Sequence, residues 1–234
     1  MSLSSRLTLV AILAFVPAGC TSTLRLSPVP LLSQQAAETE GTELLASQQF
    51  HTVVISPHSV EAKPGTLWRF YIQLKNGSAL DTTFDPLTVR MSLNETILPI
   101  LSKDAIRRRI LHAREDEILL IHQRQDRFSF GNGRMLSNEG SLDDEPGPGE
   151  YIFEAQRLEQ ESKRLLHELE VRTRQQLANL EQHALVSKVL QPGGRYETFA
   201  EVIAPQQIKP GDHLTIQVGI APDIHKFHYV VLDS

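Results

Sequence analysis

Histidine is the residue type in this chain best suited to hold a metal or to move a proton near neutral pH. His225 and His228 stand three apart near the C-terminus, and His213 lies in a neighbouring stretch. Imidazoles gathered in this way suit copper or zinc. Side chains three apart on a strand point to opposite faces, so a turn or helix at Asp223 to Lys226 is needed for both rings to reach one ion. His213, His225 and His228 are therefore a candidate copper or zinc site, set against the alternative of core and solvated histidines. His51 and His58 are a second pair that a sandwich can bring together.

Other chemistry is thinner. No glycine-rich nucleotide loop is present, and Gly131-Asn132-Gly133 reads as a turn. His167-Glu168 has Val171 where a zinc-protease helix needs its second histidine, and no serine stands in a G-x-S-x-G elbow. Asp143-Asp144-Glu145 lacks the ligand spacing of a calcium loop. Arg107-Arg108-Arg109, followed by Glu115-Asp116-Glu117, reads as a solvated helix face with internal ion pairs. Asn76-Gly77-Ser78 and Asn94-Glu95-Thr96 match the glycosylation sequon. These patterns predict no enzyme and no cofactor.

The remaining reactive group is Cys20, the single cysteine. Arg6 precedes an apolar run, Leu7 to Val16, that exits through Pro17-Ala18-Gly19. A basic start, a short apolar core and a small-residue exit make a secretory signal, and about ten apolar residues fall short of the roughly 20 that span a bilayer. Ala18-Gly19-Cys20 resembles the lipobox of bacterial lipoproteins, with Pro17 where that family usually has leucine. The resemblance implies cleavage after Gly19, acylation of Cys20 and, with Thr21 next, an outer-membrane address on the periplasmic face. The alternative is an ordinary signal peptide cut near Ala18, which leaves a free thiol.

Losing Met1 to Gly19 removes Arg6 from 23 basic residues, leaving 22 against 28 acidic ones and a net charge of −6. That balance disfavours nucleic acid or an anionic membrane surface as the principal partner, because both are bound through concentrated Lys and Arg. The composition, 41% hydrophobic and 22% charged, is globular.

The elements that must position these groups follow in order. Residues 20–49 read as a lipidated N-terminus and flexible tether spanning roughly 30 Å; alternatively Leu24, Leu26, Leu31 and Leu32 pack on the domain. Residues 50–234 read as a β-sandwich. Val53 to Ile55, Leu67 to Leu74, Leu87 to Leu93, Thr198 to Ala204, His213 to Ile220 and Phe227 to Leu232 are its expected strands. Trp68, Phe70, Ile72 and Leu74 form one apolar face, and Leu214, Ile216, Val218 and Ile220 another. The spacing loosely resembles immunoglobulin-like envelope domains, without their paired cysteines.

An insertion at 102–187 interrupts the strands. Ser102 caps a helix to about Gln125, with Ile106, Ile110, Ala113, Glu117 and Ile121 along one side. After the breaker Pro146-Gly147-Pro148-Gly149, a second helix runs from Phe153 to about Val186, roughly 50 Å long. Leu158, Leu165, Leu169, Leu177, Leu180 and Ala184 make its stripe. Outward pairs are Arg157 with Glu161, Glu159 with Lys163, Glu168 with Arg172, and Glu170 with Arg174. The fold class expected is thus mainly β with an α insertion, an immunoglobulin-like sandwich interrupted by a helical hairpin. The hairpin either lies on the sandwich or projects to meet another envelope protein. The function expected is a membrane-anchored binding or assembly module, with a metal-binding lipoprotein as the alternative.

Overall fold

The computed structural model describes residues 24–39, 42–135 and 148–233. Two five-stranded antiparallel sheets face each other, in the orders β1-β12-β11-β7-β8 and β10-β5-β4-β3-β2. The first comprises β1 (Leu24–Val29), β7 (Arg90–Leu93), β8 (Thr96–Leu98), β11 (His213–Ile220) and β12 (Asp223–Asp233). The second comprises β2 (Gln34–Thr39), β3 (Thr42–Gln48), β4 (Thr52–Pro57), β5 (Leu67–Lys75) and β10 (Arg195–Ile203). A small sheet pairs β6 (Thr82–Phe84) with β9 (Lys188–Leu190). Helices α1 (Lys103–Met135) and α2 (Pro148–His183) are inserted between β8 and β9. The chain is mainly β, an open sandwich with a helical insertion.

The alternation of apolar residues dictates the core. Trp68, Phe70, Ile72 and Leu74 are buried from one sheet, and Leu214, Ile216, Val218 and Ile220 from the other. Phe70 and Tyr229 meet across the gap with ring centroids 5.8 Å apart. At one end Asn76 is fully buried and its amide donates to the carbonyls of Leu80, Leu190 and Gln191, tying β5 to the exit of the insertion. The next residue can only be glycine, because a Cβ on Gly77 would lie 1.9 Å from the Phe50 carbonyl oxygen. The first sequon thus lies in a structural clasp. In the second, the Asn94 side chain donates to Asp212 and accepts from the His213 N–H.

The sandwich starts at Leu24, which corrects the expectation of a tether over residues 20–49. β1 pairs with β12 from Leu24↔Asp233 to Val29↔His228, and β2 and β3 extend the opposite sheet. Leu26 is 2% exposed and Leu24 packs beside it, whereas Leu31 and Leu32 are exposed. Ser, Gln, Glu and Ala are poor strand formers, so pairing with neighbours, not intrinsic preference, makes these segments extended. Pro28 is tolerated because β1 lies at a sheet edge.

Smaller differences have local causes. Leu87 lies in a 3-10 turn at Pro86–Thr88 and is 81% exposed, because the Asp85 carboxylate accepts from the Leu87 N–H and turns the chain. α1 continues beyond Gln125 and through Gly131 and Gly133 to Met135. No proline intervenes, and a glycine costs only about 1 kcal/mol in a helix already begun. α2 begins at Pro148, since proline suits the first helical position. Asp143-Asp144-Glu145 and Cys20 lie outside the described residues.

Leu26→Ala tests whether residues 24–29 belong to the core. A buried leucine truncated to alanine is expected to cost about 2–5 kcal/mol by denaturant unfolding. A tether residue would change stability by less than about 0.5 kcal/mol.

Candidate functional site

The histidine trio is divided by β12. His225 faces inward with Phe227 and Tyr229 and is fully buried, while His228 points outward and lies half-buried. His213 is exposed on β11, whose Thr215 pairs with His228. Asp223 to Lys226 are strand, not turn, so His213, His225 and His228 cannot share one ion and the three-ligand site is corrected. Among the described residues no group of three metal-ligating side chains forms. His51 and His58 flank opposite ends of β4, and His58 instead meets the Tyr71 hydroxyl at 3.2 Å.

His225 belongs to a sealed polar seam between the sheets. Its Nδ1 lies 2.9 Å from the Ser47 Oγ, and its Nε2 is 3.7 Å from the Asp223 carboxylate. Asp223 also accepts from the His51 N–H at 2.6 Å. The Gly77 N–H donates to His51 Nδ1, so Nε2 carries the proton and donates to the Ala221 carbonyl at 3.0 Å. Serine, histidine and aspartate are the residue types of a hydrolytic triad. Here Ser47 is 2% exposed and His225 0%, which leaves no room for a substrate at the hydroxyl. Ser47 and Asp223 carried no signal in the sequence, being single residues from strands far apart in the chain.

The second cluster lies where the hairpin meets β10. Tyr196, Ala200 and Val202 enter the main core from one face of β10, and Phe199 and Glu201 occupy the other. Ile106 of α1 and Leu180 of α2, with Ala184 just past its end, close over Phe199. The Arg69 guanidinium stacks 4.6 Å above the Phe199 ring, and its Nε donates to Glu201 at 2.6 Å. Glu201 is 1% exposed, and one of its oxygens has no partner. A cavity of about 300 Å³ remains between hairpin and sheet, bounded by Arg69, Ile110, Arg172, Gln176 and Phe199.

Ion pairs hold the two helices in antiparallel register. Glu181 accepts from Lys103 and Arg107, and Glu117 from Arg172. The Lys103 ammonium holds the Glu181 carboxyl below its usual range, with Arg107 adding to it. Arg172 does the same for Glu117. The expected pairs Glu159–Lys163 and Glu170–Arg174 form, but Glu168 turns back to Arg164, because Arg172 reaches across to α1. Ile106, Ile121, Leu169, Thr173 and Leu180 are buried in the seam, while Ala113 is exposed. Farther along, Leu119 and Leu120 are 59% and 57% exposed.

No protein-family model, no curated protein and no solved structure matches this chain.

Burial lowers the His225 pKa, against a smaller opposing pull from Asp223. The unfolded ring takes up a proton near pH 6.5 while the folded ring resists it, so this stability is present above that pH and lost as pH falls below it. Melting temperature is expected to drop between pH 7.5 and 5.5, and His225→Gln to flatten that drop. His228, also lowered chiefly by burial, contributes in the same direction. A slope unchanged in His225→Gln would assign the effect elsewhere. Separately, Arg69→Ala strands the buried Glu201 charge and is expected to cost about 3–5 kcal/mol. Arg174→Ala, removing an exposed pair, should cost under about 1 kcal/mol.

Proposed function

We propose that this chain is a lipid-anchored bacterial envelope protein that works by binding and assembly, not catalysis, and that the helical hairpin is its contact arm. The observation that carries the reading is the hairpin's attachment. Helices of 33 and 36 residues reach roughly 50 Å. Their packing on the sandwich is built from residues near the base, Ile106, Ile110, Leu180 and Ala184. Beyond that base the arm offers Leu119 and Leu120 to a partner, with ion pairs keeping it straight.

Cys20 supplies the anchor in this reading, and Thr21 after it supports an outer-membrane, periplasm-facing address. Three residues separate Cys20 from Leu24 at the start of β1, four backbone steps with a reach of at most about 14 Å. The domain therefore rides against the head groups, not on a long leash. Each acyl methylene buried contributes about 0.8 kcal/mol, and several chains together make the attachment lasting.

Two measurements test the proposal. Labelled palmitate is expected to enter the wild-type chain and not Cys20→Ala, which should leave the membrane fraction; equal labelling and fractionation defeat the anchor. A variant with residues 115–168 replaced by a short turn keeps the base of the hairpin intact. It should lose the partner that the full chain crosslinks in intact cells while its sandwich still melts cooperatively. An unchanged crosslinking pattern defeats the arm.

A further inference from the structure

A sheet edge exposes a row of unpaired backbone donors and acceptors, and proteins blunt such edges to avoid unwanted pairing. Three of the four edges of the large sheets are blunted. β1 is covered by the segment at Val60 to Ala62, through Leu26 N–H to Val60 O and Ala62 N–H to Leu24 O, both 2.7 Å. β10 is covered by Leu101, whose N–H donates to the Glu201 carbonyl at 2.8 Å, and by a bridge from Ala184 to Phe199. β8 has three residues and stops at Pro99. β2 carries none of these devices. It is six residues long, contains no proline or basic residue, and has Glu38 as its one charge. Among the described residues no strand pairs with its outer side, and of its outward N–H groups only that of Gln34 is taken, by the Leu31 carbonyl at 2.8 Å.

The free groups on that edge can be assigned. The Gln34 N–H donates to the Leu31 carbonyl and not to β3, so Gln34, and by alternation Ala36 and Glu38, direct their backbone groups outward. Ala36 and Glu38 are exposed. An antiparallel partner strand of identical sequence, centred on Ala36, sets Ala36 against Ala36 and Glu38 against Gln34. No like charges meet, and the small alanines let the backbones approach.

We propose that β2 is a self-pairing edge that joins two copies of this chain into one continuous sheet about a two-fold axis. The contact is isologous, as closed symmetric dimers require. That axis stands perpendicular to the joined sheet and keeps both β1 strands on the same side of it. Two acyl anchors at Cys20 then enter one bilayer; this last point rests on the lipoprotein reading, and the strand pairing does not. One strand pair buries less than the roughly 1,200 Å² of a lasting complex, so association is weak in free solution. Confinement to a surface raises the effective concentration and strengthens it.

Oxidative crosslinking of the full chain in its own membranes reads this contact. Hydrogen-bonded residues facing each other across antiparallel strands lie about 5.5 Å apart, within disulfide range. Ala36→Cys is expected to give a homodimer as the dominant product, and Glu197→Cys, exposed on β10, to give little. Sedimentation of the detergent-solubilised chain should show a concentration-dependent dimer that Ala36→Pro weakens by about tenfold or more, roughly 1.4 kcal/mol. That proline removes an outward N–H and leaves the bonds to β3 in place. Ala36→Asp, which sets two carboxylates face to face, gives the same readout should the proline variant lose its fold by circular dichroism. Three results overturn the proposal: no excess of dimer from Ala36→Cys over Glu197→Cys, a disulfide to a different polypeptide instead, or sedimentation that neither variant alters. Dimerisation that persists in an unacylated Cys20→Ala chain supports the pairing while removing the anchor.

Discussion

The structure depends on covering β10 from both sides. As an edge strand it would otherwise expose both its outer face and its unpaired backbone, and the base of the hairpin closes both. Phe199 takes the apolar contact from Ile106, Leu180 and Ala184. Leu101 takes the backbone edge. Arg69 is stacked on the same ring and bonded to a carboxylate that water does not reach. A buried ion pair adds little net stability, but removing one member leaves a bare charge inside the protein. The joint therefore resists partial disassembly, and it fixes where the arm leaves the body.

The parts legible in the sequence were those with one unbroken periodicity. Leu67 to Leu74 and His213 to Ile220 alternate cleanly because each separates core from surface, and α2 repeats every three or four residues because one stripe meets α1. β1 to β3 were not legible. Their residues have no strong strand preference; β1 is held extended by a partner about 200 positions away, as with Leu24 against Asp233, and β2 and β3 by the hairpins that join them to each other and to β4. Arg172 shows the same limit on a helix. Its spacing suits Glu168, and only the packed hairpin reveals that Glu117 is nearer. The histidines divide as core and solvated groups, because strand parity sends His225 inward and His228 outward, and residue type alone does not separate that arrangement from a ligand set.

The seam at Ser47, His51, Asp223 and His225 also depends on tertiary packing. It gathers polar groups from β3, β12 and the turns beside them, which no local pattern links. Such groups, bonded to each other at the interface of two sheets, fix the offset of one sheet against the other more sharply than apolar packing does. A slip of one residue in β12 would send His225 to solvent and bring Ile224 or Lys226 against Ser47.

The position of the hairpin has a consequence for the order in which the molecule forms. Strands on either side of it must find each other across a gap running from Ser102 to Ala184, and closing a long loop is slow because its ends rarely meet. Within each helix the contacts are local, and once α1 and α2 pair, with Lys103 beside Glu181, those two ends lie together. Shrinking the effective loop about tenfold saves roughly 2 kcal/mol of closure entropy. A paired hairpin thus acts as a clamp that holds β9 and β10 within reach of β6 and β5.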